Sequence, residues 1–503
     1  MSSYNDYGHA KRTIQQLPIP ERKGHNAILN SIYLEDIVVA IGEWSCRRVV
    51  LVHSKALDEN TDVVAKLKEK LGSFIAASKS GVGAHSPYVD VLEIARMLNE
   101  KEADCLISIG SSSYSDACKI ARLMQTNLKP SNMTVDAMEG LVTQEYGSAK
   151  DLIDPSVKLI VVPTSLSASE WNTSSSAVNP NTQKKQHFAS ANASPELILL
   201  DPEVASTAPR KLWLSSGMRA VDHCVETMVN EECTEDVFLH MEDSLAILLQ
   251  GLKDYKDGES GGNHKDLVTG ISNCQLGSRN AMLGLLMWNI PMGASHAIGH
   301  QLGSVCGVMH GITSCVMLAP VLRYTYSRSE KQKQSQQRTL KIWNKILKWD
   351  EASLADAIEK FVKYLGLPST LREIGVEKHE DIEKVGEATL TDSMFDPVRV
   401  LIGGKTGVLA ILENHTLPPF FPSSLPILSL SFGKNSPLNS PTGKSSAKLT
   451  SATTTSANST GSRPCPHILM VRHTSCTLRL CLKNLLDLTK YMSSSASRTE
   501  KIT

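Results

Sequence analysis

Four short apolar runs, each closed by small or hydroxyl-bearing residues and followed by a different pattern, limit what this chain can fold into. They are RVVLVHS from Arg48, DCLISIG from Asp104, KLIVVPTS from Lys158 and ELILLD from Glu196, with a weaker one, SFIAAS, from Ser73. Between them, TDVVAKLKEKLG, VDVLEIARMLNEKE and SYSDACKIARLM repeat apolar residues at three- and four-residue spacing, the period of an amphipathic helix. Runs that are apolar on both faces belong to strands covered on both sides. Strands alternating with helices at this spacing indicate βαβ units and a parallel sheet. From about Pro209 the texture changes to long amphipathic helices with little strand signal, through SGMRAVDHCVETMVN, CQLGSRNAMLGLLMWN, LKIWNKIL, LADAIEKFVKYLGL and VLAILE. The expected architecture is an α/β domain over residues 1–208 and an all-α domain over 209–413, with ligand space between them. Residues 1–45 read as a weakly patterned lead-in.

After Glu413 the composition breaks. The stretch from Asn414 is rich in Ser, Thr and Pro, and a later apolar island, CTLRLCLKNLLDLTKYM, has the makings of one marginal helix. Such a segment buries too little apolar surface to offset its ordering entropy, so 414–503 is expected to be a disordered tail. Translated intron or out-of-frame sequence would give the same abrupt shift. The charge divides at the same point: the chain as a whole is neutral, but the tail carries +8 and the first 413 residues −8. With no net positive charge there is no electrostatic case for nucleic acid as a partner. No stretch reaches the ~18 apolar residues of a membrane span, and the N-terminus lacks the apolar core of a signal peptide. Eleven cysteines without CxxC pairs suit a reducing compartment. The expectation is a cytoplasmic protein acting on a small molecule, with neither membrane nor nucleic acid as partner.

Two turns stand out at strand ends. GSSSYSDACK, Gly110 to Lys119, lies between a strand and a helix, and its small residues let backbone N–H groups approach a pyrophosphate at a helix N-terminus. An ordinary strand-to-helix turn capped by Ser113 would look the same. PTSLSASEW, from Pro163, is again a strand followed by a hydroxyl-rich turn. Two such turns at the carboxyl ends of parallel strands face one crevice, which favours a dinucleotide cleft. Gly110, Ser111, Ser112, Ser113 and Asp116 in the first turn, and Thr164, Ser165 and Ser167 in the second, are the candidate cofactor-binding residues. Further on, SHAIGHQLGSVCGVMHG puts His296 and His300 at i, i+4 on one helix face, with His310 ten residues later. His223 lies upstream, one helical turn after Arg219. Imidazole is the commonest metal ligand and titrates nearest neutrality, although a helical histidine is more often structural than functional.

Taken in order, these motifs resemble the iron-containing alcohol dehydrogenase family, the group that includes glycerol dehydrogenases, lactaldehyde reductases and maleylacetate reductases. The resemblance covers roughly residues 20 to 413. The family's GGGSxxDxxK is similar to GSSSYSDACK, with Ser111 and Ser112 where glycines are usual, and PTTxGTxSE is similar to PTSLSASEW. GxDAxxHxxE is similar to GMRAVDHCVE, and HxxxHxxG followed by PHG is similar to HAIGHQLG followed by MHG. The resemblance implies the dehydroquinate synthase-like fold, with an N-terminal domain binding NAD or NADP, a helical domain holding one divalent metal (Fe or Zn), and a homodimer. It places His223, His296 and His310 at the three histidine ligands and His300 near the nicotinamide. The fourth ligand, an Asp in relatives, is Arg219 here. A guanidinium cannot ligate a cation and repels one, and Asp222 beside His223 is a poor replacement because i and i+1 do not share a helix face. Maleylacetate reductases, to which GMRAVDHCVE is most similar, also lack the Asp and resemble metal-independent enzymes. Arg219 is then expected to polarise the substrate oxygen or clamp a substrate carboxylate, with His300 relaying the proton. Ser54 stands where relatives strict for NAD carry an Asp, which permits NADP. A metal-dependent alcohol dehydrogenase is the alternative reading, and a degenerate nucleotide-binding protein without turnover is a third.

Overall fold

The computed structural model describes residues 13–15, 19, 26–143, 152–182, 184–190 and 193–413; the expected tail from residue 414 lies outside them. Seven strands form one sheet: β1 (Thr13–Gln15), β2 (Asn26–Leu29), β3 (Val49–His53), β4 (Ile75–Ser80), β5 (Cys105–Gly110), β6 (Lys158–Pro163) and β9 (Leu197–Leu200). Their spatial order is β1-β2-β9-β6-β5-β3-β4. Only the β1–β2 pair is antiparallel. A separate antiparallel hairpin is made by β7 (Ser174–Val178) and β8 (Lys185–Ala189).

The alternation within each apolar run decides how the sheet is covered. In β3, Val49 and Leu51 point to one side, where they pack with Ile37, Leu67, Ile107 and Val162. Val50 and Val52 point to the other, against Leu92, Leu106, Ile120 and Val161. Both faces are therefore buried, as a sheet wound with helices on each side requires. Helices Val63–Leu71, Tyr88–Glu100 and Ser112–Asn127 supply the cover that their periodicity predicts.

The remainder is helical, as expected from the change of texture near Pro209. Its centre is the helix Arg210–Val229, which is buried on every side from Trp213 to Val229, and no helix among the described residues is long and apolar enough to cross a membrane. Some features depart from the sequence reading. The lead-in holds β2 and an 11-residue helix, Tyr33–Glu43. The pattern CQLGSRNAMLGLLMWN breaks at Met282 into helices His264–Ala281 and Leu283–Leu286. The sheet and the helices meet at an apolar contact in which Trp171, Ile198 and Leu200 pack with Met282 and Leu283.

Leu51 is fully buried in a strand flanked on both sides. Its truncation in Leu51→Ala is expected to lower unfolding free energy by about 2–5 kcal/mol, read as a shift of the urea midpoint at constant m-value.

Candidate active site

The chain runs outward from β3 to β4, then returns to the other side of β3 to form β5 and β6. The carboxyl ends of β3 and β5 thus sit at a reversal of strand order, where open α/β sheets leave a ligand crevice. Ser54 closes β3 here; its N–H donates to the Ile109 carbonyl at 2.9 Å. Its hydroxyl caps the helix Lys55–Asn60 by accepting from the Leu57 N–H at 3.4 Å. On β5, Gly110 lies so close to the Tyr114 ring that a Cβ would come within 2.5 Å of it. Ser111, rather than Ser113, is the N-cap of the 16-residue helix Ser112–Asn127, and its side chain makes no capping bond. Ser113 instead accepts at its carbonyl from the Ser86 hydroxyl at 2.8 Å.

The second turn sits beside the first, with the Thr164 N–H bonded to the Gly110 carbonyl at 2.9 Å. Ser167 is half-buried in the same turn. The hydroxyls of Ser112 and Ser165 are shielded from solvent and make no hydrogen bond within the protein. Buried polar groups are nearly always paired, so two orphan hydroxyls above a helix N-terminus fit a phosphate-bearing nucleotide. Asp116 has another job. Its carboxylate accepts from the Ser176 N–H and hydroxyl at 3.3 and 3.4 Å and pairs with Lys119 at 3.3 Å. Lys119 is fully buried and donates to the carbonyls of Ser169, Asn172 and Ser174 at 2.6, 3.1 and 3.2 Å. This pair holds the second turn to the first.

In the helical part, three helices carry the histidines. Arg210–Val229 presents Arg219 and His223 along one stripe and Asp222 and Glu226 along the next. Ala294–Cys306 presents His296 and His300, and His310 opens the helix His310–Thr325. Gly311 lets that last helix touch Arg210–Val229, since a Cβ there would come 2.6 Å from the Ser215 backbone. Glu226 ties the first two helices together. Its carboxylate accepts from the N–H groups of Gly293 and Ser295, each at 2.7 Å, and from His296 Nδ1 at 2.7 Å. Asp222 accepts from the Ser295 hydroxyl at 2.8 Å.

The guanidinium of Arg219 is 3% exposed and points into the histidines. Its Nη1 donates to the Ser314 hydroxyl at 3.3 Å, and its Nη2 lies 3.5 Å from His300 Nε2. Around it the imidazoles stack in two pairs: His223 on His296 with centroids 4.8 Å apart, and His300 on His310 with centroids 5.4 Å apart. Burial, followed by the charge of Arg219 and neighbouring imidazoles, holds His223, His296 and His310 far below the ordinary histidine range. His300 is lowered less, because its bond to Asp392 opposes burial. Burial and then Lys185 push His187, on β8, down to about 4. Asp222 is pushed well up by burial and by the Glu226 charge beside it. At neutral pH Arg219 is a permanent cation among neutral rings, with the Asp392 carboxylate held low by His300; burial pushes Glu226 up, opposed by its N–H donors and by Arg219.

Tested against a divalent metal, this donor set falls short. The buried Nε2 of His296 and Nδ1 of His223 have no protein partner, which suits a ligand. The fourth position, however, is a guanidinium. Among the described residues, the trio of acidic, thiol and imidazole donors that converges within 4.8 Å is Asp222, Glu226 and His296, rather than the three histidines. Both Glu226 oxygens and Asp222 Oδ2 already accept N–H or O–H donors, while the buried Asp222 Oδ1 has no hydrogen-bond partner.

Sequence reasoning missed two groups here. Glu226 was visible as the last residue of GMRAVDHCVE, at i+4 from Asp222, but its bonds to another helix were not. Asp392 receives His300 Nδ1 at 2.9 Å across 92 residues of chain, and no local pattern marks it.

The sequence profile described as "Iron-containing alcohol dehydrogenase" matches residues 28–202, and that described as "Fe-containing alcohol dehydrogenase family, C-terminal" matches residues 213–414. The dehydrogenase ALT3 of Alternaria alternata is 30% identical over 402 residues, which are 73% of this chain and 98% of that one. This chain belongs to the iron-containing alcohol dehydrogenase family. The lactaldehyde reductase of Escherichia coli K12 is 24% identical over 354 residues, 69% of this chain and 86% of that protein. The crystal structure of maleylacetate reductase from Agrobacterium tumefaciens superposes with a TM-score of 0.60 at 16% identity, covering 80% of this chain and 98% of that one. The fold and the oxidoreductase class follow from family membership, as does a nucleotide cofactor.

If the orphan hydroxyls mark the phosphate site, Ser112→Glu puts a carboxylate where an anion is received. The Kd for NADPH, followed by fluorescence, is expected to rise by more than about tenfold, or roughly 1.4 kcal/mol, with the melting temperature unchanged.

Proposed function

We propose that this protein is an NAD(P)-dependent oxidoreductase moving a hydride to or from a small carbonyl, alcohol or unsaturated keto acid, and that it does so without a metal. The observation that carries this reading is the buried Arg219 guanidinium, directed at His300 where relatives keep an acidic metal ligand. When bound, the nicotinamide carries the hydride. Arg219 donates N–H groups to oxygen as negative charge develops, or receives a substrate carboxylate through two parallel bonds. His300 moves the proton at Nε2. His223, His296 and His310, held neutral, form a dry wall that strengthens the field of Arg219. Ser54 offers no carboxylate to repel a 2′-phosphate, which supports NADP as well as NAD as cofactor.

A metal-dependent dehydrogenase is the second reading, favoured by the unpartnered Nδ1 of His223 and Nε2 of His296. It requires a cation to sit beside a fixed guanidinium in a low-dielectric pocket, which costs more than two imidazoles return.

Turnover decides between roles for Arg219. The full chain is assayed for reduction of maleylacetate, which bears carboxylates, and of lactaldehyde, which does not, with NADH and NADPH. Arg219→Lys and Arg219→Met are expected to lower kcat/KM for maleylacetate by roughly 10- to 100-fold, the worth of a charge-assisted hydrogen bond, and to affect lactaldehyde less. Equal effects on both substrates would remove the carboxylate clamp, and absence of reduction of either would remove the proposed activity.

A further inference from the structure

Asp392 lies outside every motif of the sequence, in the turn after the helix His379–Thr389. Its backbone is pinned: its N–H donates to the Thr389 carbonyl at 3.1 Å, and its carbonyl accepts from the Phe395 N–H at 2.9 Å. Phe395 is fully buried and anchors the turn in the helical core. Oδ1 accepts from the Met394 N–H at 2.9 Å. Oδ2 accepts from His300 Nδ1 at 2.9 Å and from Gln301 Nε2 at 3.0 Å. Three donors thus hold this carboxylate, one on Oδ1 and two on Oδ2, and fix its orientation.

The consequence falls on His300. An ionised carboxylate only accepts, so His300 Nδ1 must carry the proton. On the opposite side of the ring, Arg219 only donates, and its Nη2 lies 3.5 Å from His300 Nε2. Both neighbours demand the same tautomer, with the proton on Nδ1 and the lone pair on Nε2, facing the guanidinium. We infer that Asp392 is a positioning residue that fixes His300 in the tautomer able to accept a proton at Nε2. The inference rests on the reading in which His300 relays the proton. In the oxidation direction the substrate O–H bond breaks, its proton goes to Nε2, and the C–H electron pair leaves as hydride to the nicotinamide; reduction reverses each transfer. Neither Gln301 nor Met394 needs the charge of Asp392: an amide oxygen in place of Oδ1 would serve the Met394 N–H, and Gln301 can turn its own amide to present Oε1 to an NH2 in place of Oδ2. The charge is used by the imidazole.

The test separates this inference from the reading on which it rests. In Asp392→Asn the amide oxygen keeps the Met394 bond, so the NH2 group faces His300 and donates to Nδ1. The full-chain protein, labelled with ¹⁵N-histidine and with His300 assigned through His300→Gln, is expected to switch the His300 proton from Nδ1 to Nε2. With lactaldehyde and NADPH as probes, kcat should fall by about 10²-fold with KM and NADPH binding unchanged. Asp392→Glu should restore the Nδ1–H tautomer and part of kcat. A His300 that keeps its proton on Nδ1 in Asp392→Asn overturns the inference. So does a variant in which kcat is unchanged, or in which KM, melting temperature and kcat worsen together without rescue by Glu. Full turnover in His300→Ala would instead remove His300 as relay and leave the tautomer measurement to decide what Asp392 does.

Discussion

The whole centre of the helical region is arranged around a charge that cannot be removed. Arg219 stays protonated at any accessible pH, and it is buried, so everything near it answers to that charge. The four imidazoles around it are neutral, since a second cation there would meet both burial and repulsion. Glu226, three and seven residues along from His223 and Arg219, accepts from two backbone N–H groups and His296, and the Asp392 carboxylate, held low by His300, adds negative charge on the other side. Where the family resemblance implies an acidic metal ligand, this chain carries a buried guanidinium with a permanent charge.

The sheet contributes its crevice by different means. Its reversal between β3 and β5 opens the crevice, and small residues at the two strand ends allow close approach of backbone to ligand. What keeps the two turns in register is Lys119, whose buried ammonium gathers the Ser169 carbonyl of the second turn, the Asn172 and Ser174 carbonyls just after it, and the Asp116 carboxylate of the same helix. A buried ammonium with four oxygen partners is stable only as a complete set. Asp116 and Lys119 therefore brace the frame, and the buried hydroxyls of Ser112 and Ser165 are left without a protein partner.

The limits of what the sequence discloses follow from the range of the interactions. The central strands were legible because VVLVH, CLISIG and KLIVVP are apolar on both faces, a local property. The β7–β8 hairpin was not, because SSSAV and KQHFA are poor strand formers held by Asp116 and by pairing with each other. The 27-residue helix Glu235–Gly261 carries a weak apolar stripe because its neighbours include helices on more than one side. In the site, His223, His296, His300 and His310 were legible as residues with spacing. Which way Arg219 points, and what orients each ring, depends on contacts between helices far apart in the chain, and single-sequence reasoning has no signal for these.

Metal stoichiometry tests the central claim most directly. The full-length protein, purified without chelator and then dialysed against excess Zn²⁺ or Fe²⁺, is compared with Arg219→Asp by elemental analysis. The account predicts well under one equivalent of metal in the native protein and about one equivalent in Arg219→Asp, where an acidic residue joins His223, His296 and His310. A native protein that holds one tightly bound equivalent, unchanged by Arg219→Asp, would contradict it.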